Sequence, residues 1–160
     1  RRGDGDAEPV LIEDAPARRA SRPRRVLLVE DHEPTRVTLS HVLSRRGLVV
    51  TCAASLAEAR ETAAKTEFDL LISDIGLPDG SGCDLMTELS AVRPIVGIAL
   101  SGYGMEEDIA RSQRAGFRQH LTKPVRVQLL DRALAELWAL SSPSNGRADA
   151  PGEPVGSNGR

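Results

Sequence analysis

A parallel α/β sheet with helices on both faces is predicted by three features of this 160-residue sequence. Five short β-type segments, four of them apolar runs, alternate with five segments of helical period, and the connections between them are short. Several of the runs are apolar at consecutive positions, as strands buried on both sides require. Polar residues and Gly/Pro-rich loops follow at the carboxyl ends of those runs, which is where such sheets carry their chemistry.

The first strand is Val26-Leu27-Leu28-Val29, running directly into Glu30-Asp31. Pro34 suits the first turn of a helix whose apolar stripe is Leu39, Val42 and Leu43 and whose stop is Gly47. Leu48 to Cys52 is the second strand. Ser55 and Glu58 have the spacing of a capping box, and Leu56, Ala59 and Ala63 form the inner face of the helix they open. The third strand, Leu70-Leu71-Ile72-Ser73-Asp74, passes into the loop Ile75-Gly76-Leu77-Pro78-Asp79-Gly80-Ser81-Gly82. A helix from Cys83 to about Val92 turns Leu85, Met86 and Leu89 inward, and Pro94 closes it. Ile95 to Leu100 is the fourth strand, with Ser101-Gly102-Tyr103-Gly104 as the loop after it. A polar helix from about Glu106 to Ala115 stops at Gly116, and Arg118 to Thr122 is the fifth strand. The last helix runs from about Val125 to Ala139, with Val125, Leu129, Leu130, Ala133, Leu134 and Leu137 as its apolar stripe.

Residues 1–23 read as a flexible linker, 24–140 as the folded domain and 141–160 as a disordered tail. In the first of these, Val10-Leu11-Ile12 is either a chance patch or a short docking segment. Arg18, Arg19, Arg22, Arg24 and Arg25 read as solvated charge. The chain opens on Arg rather than Met, so a fragment or processed form is expected. The formal charge of −2 gives no nucleic-acid footprint. No apolar run nears the ~20 residues that span a bilayer, and no signal peptide is seen, so the expected setting is cytoplasmic. Cys52 and Cys83 make no disulfide framework. Phe68, Tyr103, Phe117 and Trp138 are all the aromatic residues, too few for a pocket that stacks flavin or bases.

Glu30, Asp31 and Asp74 close the first and third strands. If those strands are neighbours, the three carboxylates crowd together and call for a cation. Oxygen ligands without His or Cys favour Mg²⁺. Lys123 closes the fifth strand with a mobile positive charge, and Ser101 closes the fourth with a hydroxyl. Carboxylate, divalent ion, ammonium and hydroxyl together suit in-line phosphoryl transfer onto Asp74, which needs no general base because it is already ionised. His32 and His41 lack a ligand partner at useful spacing and read as loop and helix-surface residues.

The stretches Val26–Asp31, Asp69–Gly82, Ala99–Gly102 and Leu121–Pro124, in this order and spacing, resemble the receiver domain of two-component response regulators. The resemblance implies a doubly wound, flavodoxin-like (βα)5 sheet of strand order 2-1-3-4-5. It implies phosphorylation of Asp74 by a phosphohistidine donor, with Mg²⁺ held by Asp31, Asp74 and the Gly76 carbonyl, and by Glu30 mainly through water. Lys123 would pair with the phosphoryl group, Ser101 would swing in to bond it, and the Lys123–Pro124 peptide would be cis. Phosphorylation would act on the face made by the fourth helix, fifth strand and fifth helix.

The switch position that usually carries Tyr or Phe is His120 here, and its plainer reading is a surface-facing side chain. Gly102 leaves the site little shielded. The implied partners are a histidine kinase or a histidine phosphotransfer protein, with no nucleic acid and no membrane contact by these residues. The expected parent is a hybrid histidine kinase ending in this receiver; the alternative is a stand-alone regulator. A small Mg²⁺-dependent phosphatase is a remoter alternative, because it would need a second acid where Gly76 stands.

Overall fold

Side chains on both faces of a strand must be covered on both faces, and Val26, Leu27, Leu28 and Val29 expose no surface at all. The computed structural model describes residues 22–102 and 104–141. Expectations for the linker before Arg22, Tyr103 and the tail after Ser141 lie outside these residues.

In chain order the elements are β1 (Arg25–Val29), α1 (Glu33–Arg45), β2 (Val49–Ala53), α2 (Leu56–Lys65) and β3 (Leu70–Asp74), then α3 (Gly82–Val92), β4 (Val96–Ser101), α4 (Glu106–Ala115), β5 (Gln119–Thr122) and α5 (Val127–Ser141). The four pairings of the main sheet are parallel and its order is β2-β1-β3-β4-β5, the doubly wound order that the resemblance implies. Gly76–Leu77 and Gly80–Ser81 form a small antiparallel ribbon in the β3–α3 loop.

Strand alternation divides the core in two. Val26, Leu28, Leu70, Ile72, Ile98 and Leu100 pack with Leu39 and Leu43 of α1 and with Leu130, Ala133, Leu134 and Leu137 of α5. Leu27, Val29, Leu71 and Ala99 pack on the other side with Leu56 and Ala59 of α2, Leu85 and Met86 of α3, and Phe117. The sheet is thus roofed on both faces. Among the described residues, no helix is long and apolar enough to cross a membrane.

Pro34 lies in the first turn of α1, and Gly47 follows its end at φ 77°, a left-handed turn suited to glycine. Ser55 caps α2 through Glu58 N–H (3.2 Å), but the Glu58 carboxylate reaches Ala54 N–H rather than that of Ser55. A second carboxylate completes this cap from a distance. Asp79, in the β3–α3 loop, accepts from the N–H groups of Leu56 and Ala57, both at 2.9 Å.

Two readings of the sequence are corrected. Leu129 is 42% exposed, not part of the inner stripe of α5. The helix begins at Val127, and the face set by Leu130, Ala133, Leu134 and Leu137 leaves Leu129 rotated about 100° away. Arg22 and Arg24 are not solvated linker charge. Arg22 pairs with Asp69 at 3.0 Å, and the Arg24 guanidinium stacks 3.7 Å over Trp138. Cys83 is buried, which pushes its thiol up, and Cys52 is half-buried; both are free thiols.

Candidate functional site

Parallel register decides which strand ends meet. Val29 pairs with Ser73, so Glu30 and Asp74, the next residues of β1 and β3, emerge side by side. Asp74 pairs with Leu100 and Ser101 with Thr122, which brings the ends of β4 and β5 onto the same rim. One carboxylate oxygen from each of Glu30, Asp31 and Asp74 lies within 4.8 Å of the others.

Lys123 reaches into this cluster from the end of β5. Its Nζ donates to Asp74 Oδ2 at 2.5 Å and to Glu30 Oε2 at 3.1 Å. The other oxygen of each acid takes a backbone N–H: Gly76 on Asp74 Oδ1 and His32 on Glu30 Oε1, both at 3.0 Å. Glu30 is fully buried and Asp74 nearly so, whereas Asp31 is exposed and forms the open side of the cluster. The Lys123–Pro124 peptide is cis.

The backbone beneath the site is fastened as well. Ile75 N–H donates to Leu100 C=O (2.9 Å) and Lys123 N–H to Ser101 C=O (2.7 Å). Ser73 Oγ donates to the Asp74 carbonyl at 2.9 Å. Gly82 opens α3 so close to β3 that a Cβ there would sit 2.2 Å from the Asp74 carbonyl oxygen. Glycine is required at that contact, whereas a Cβ on Gly102 would meet nothing within 4 Å.

Burial pushes the Glu30 carboxyl up, against the pull of the His32 N–H and Lys123. Burial also works against the Lys123 cation, but its bonds to Asp74 and Glu30 outweigh it and hold the ammonium above its ordinary value. Three carboxylates against one ammonium leave a net negative cluster, which favours a further cation. The donors are all hard oxygens with one open side, so they fit a divalent ion such as Mg²⁺.

Ser101 is buried on the β4 side of the site, and beside it the expectation for His120 fails. His120 is half-buried, with Nε2 2.6 Å from Ser101 Oγ and Nδ1 3.0 Å from Ser112 Oγ. Its strand alternates normally, but the outward face of a doubly covered sheet lies under a helix, here α4. Burial holds its pKa below the ordinary value, with Asp108 pulling the other way. His32 bonds Thr35 (2.8 Å) and His41 is exposed on α1.

Sequence reasoning passed over Ser112, Arg36 and Asp79. Arg36 donates to the carbonyls of Glu30 (2.8 Å) and Asp31 (3.3 Å), clamping the turn that carries both acids. Nothing in helical period marks either Arg36 or Ser112; Asp79 has the loop position of an ordinary turn residue. Asp74, Gly76, Ser101, Gly102, Arg111 and Lys123 line one open cleft.

Residues 26–135 match the family model of the response regulator receiver domain. The response regulator protein PilR of Pseudomonas aeruginosa is 34% identical over 121 residues, covering 75% of this chain and 27% of that protein. An uncharacterized 14.6 kDa protein of Leptolyngbya boryana is 35% identical over 121 residues, covering 74% of this chain and 92% of that protein. The chain thus spans about a quarter of the first relative and most of the second. Among solved structures, a CheY-like receiver domain protein from Methanospirillum hungatei JF-1 superposes with a TM-score of 0.70 at 27% identity, over 75% of this chain and 97% of the other.

Proposed function

Because this chain belongs to the response regulator receiver domain family, we propose that Asp74 is its phosphoacceptor and that the rim around it is the phosphotransfer site. Receiver domains of response regulators in general interact with histidine kinases or phosphotransfer proteins and bind Mg²⁺ through acidic residues. The observation that carries the reading is the convergence of Glu30, Asp31 and Asp74 within 4.8 Å, with Lys123 on Asp74 at 2.5 Å.

An Asp74 carboxylate oxygen attacks the phosphorus of a phosphohistidine. The P–N bond breaks, its electron pair returns to the donor imidazole, and an acyl phosphate forms on Asp74. Asp31, Asp74 and the Gly76 carbonyl would hold Mg²⁺, with Glu30 acting mainly through water. When bound, the ion neutralises phosphoryl oxygens and orients them for in-line transfer. Lys123 leaves Asp74 for the incoming phosphoryl oxygens, and its raised pKa keeps it cationic at neutral pH. Ser101 donates its hydroxyl to the same group. The domain therefore catalyses its own phosphorylation, and the product biases the face formed by α4, β5 and α5.

For the parent protein we propose the receiver segment of a hybrid histidine kinase, supported by the Arg- and Pro-bearing segment upstream and the Ser101-Gly102-Tyr103-Gly104 loop. A stand-alone regulator is the second reading, favoured by the 92% coverage of the Leptolyngbya relative. A kinase domain upstream in the same reading frame is expected for the first and missing for the second.

Labelling with acetyl phosphate in Mg²⁺ tests the acceptor. The wild-type chain takes up label and Asp74→Asn takes up none. Undiminished labelling of the variant would assign the phosphate to another residue.

A further inference from the structure

Three side chains form a short relay under α4: Ser101 Oγ, the His120 ring and Ser112 Oγ, joined at 2.6 and 3.0 Å. Ser112 is fully buried, and its Oγ also lies 2.8 Å from the Ile109 carbonyl oxygen. A serine hydroxyl has one proton, and a carbonyl oxygen can only accept. The Ser112 proton is therefore directed to Ile109, and only a lone pair faces His120. Nδ1 must then carry the ring hydrogen. A neutral imidazole has one N–H, so Nε2 is an acceptor and draws the hydroxyl proton of Ser101.

We infer that His120 is a positioning residue that competes with the phosphoryl group for the Ser101 proton, so that loading of Asp74 is coupled to proton uptake at His120 Nε2. This rests on the reading of Asp74 as phosphoacceptor and adds to it a consequence for the proton.

At rest, Ser101 donates to Nε2. A phosphoryl group on Asp74 offers only acceptor oxygens, so Ser101 must turn its proton toward them. Nε2 then faces a hydroxyl that no longer donates to it. One proton taken from solvent restores the contact, with Nε2–H now donating to Ser101 Oγ and Nδ1–H still donating to Ser112 Oγ. No bond to the phosphoryl group is made or broken in this step. One hydroxyl rotates and one proton enters from water.

Asp108 on α4 favours the imidazolium, while Arg111 of α4 and Lys123 after β5 line the neighbouring cleft together with Ser101. From β4, the Ser101 hydroxyl bonds the ring. Burial, the larger influence, favours the neutral ring.

Histidine ¹⁵N NMR on the whole chain reads both halves of the inference, with the His120 signals assigned by their loss in His120→Gln. Above the ordinary histidine range, His120 is expected as the Nδ1–H tautomer, and Ser112→Ala should let Nε2–H populate. Addition of Mg²⁺ and beryllofluoride, a phosphoryl mimic, should raise the His120 midpoint by about one pH unit or more. An Nε2–H tautomer at rest overturns the proposal. So does an unmoved midpoint while the ¹⁹F spectrum shows the mimic bound. Failure of the mimic to bind in wild type and Asp74→Asn alike instead removes the phosphoacceptor reading and the coupling with it; the resting tautomer, measured without the mimic, tells the two failures apart.

Discussion

The two halves of the site's rim are built from opposite materials. Between β1 and β3 stand acidic groups, with Asp74 and Glu30 each held by Lys123 on one oxygen and a backbone N–H on the other. Where β4 and β5 meet α4 stand two serine hydroxyls with an imidazole between them. A charged, buried cluster is costly to rearrange, so that half fixes geometry. A hydroxyl reverses its bond by a single rotation, so the other half can answer a new neighbour without moving the backbone.

The glycines differ in the same sense. A Cβ on Gly82 would run into the Asp74 carbonyl at 2.2 Å, whereas one on Gly102 would meet nothing within 4 Å. The backbone of β3 has no spare room against α3, whereas the loop after β4 opens to solvent.

The contrast can be broken most severely at Lys123. Lys123→Met removes the cation that Asp74 and Glu30 share, and labelling by acetyl phosphate should slow by about 100-fold. A rate within a few-fold of wild type would mean that the ammonium is dispensable. Next is the pair of glycines, compared by urea denaturation. Gly82→Ala should lose about 1–3 kcal/mol as α3 is pushed off β3, while Gly102→Ala should stay within about 0.5 kcal/mol of wild type. Equal losses would erase the distinction between the halves.

The smallest expected effect is on pH dependence. The folded-state pKa of His120 lies below the ordinary 6.5, so the unfolded chain binds this proton more readily. The stabilisation contributed by the neutral ring is present above pH 6.5 and lost as pH falls through the folded value. From about pH 7 to about pH 5, His120→Gln should therefore lose less stability than wild type in urea titrations. Parallel curves would show that the ring titrates alike in both states.

The charged half was the more legible in sequence. Glu30, Asp31 and Asp74 follow or end apolar runs, Lys123 follows a short strand, and parallel strands must bring neighbouring ends together. Most of the fold was legible for the same reason, since a run apolar on both faces admits few arrangements. The neutral half was not. His120 alternates with buried Leu121, and alternation alone points it to the surface; only the position of α4 shows that this side is roofed. Ser112 is one polar residue in a polar helix, and its burial comes from packing rather than from its neighbours in sequence. Leu129 erred in the opposite direction, because an apolar side chain about 100° round the helix from Leu130 falls at the edge of the stripe and stays exposed.

The reach of Asp79 to the first turn of α2 bears on the timing of entropy loss. The loop that carries Gly76 is pinned at its middle to a neighbouring helix, so its freedom is surrendered when the chain folds rather than when a ligand binds. Under the phosphotransfer proposed above, the donor would meet a loop already in shape, and more of the docking free energy would remain for the transfer itself.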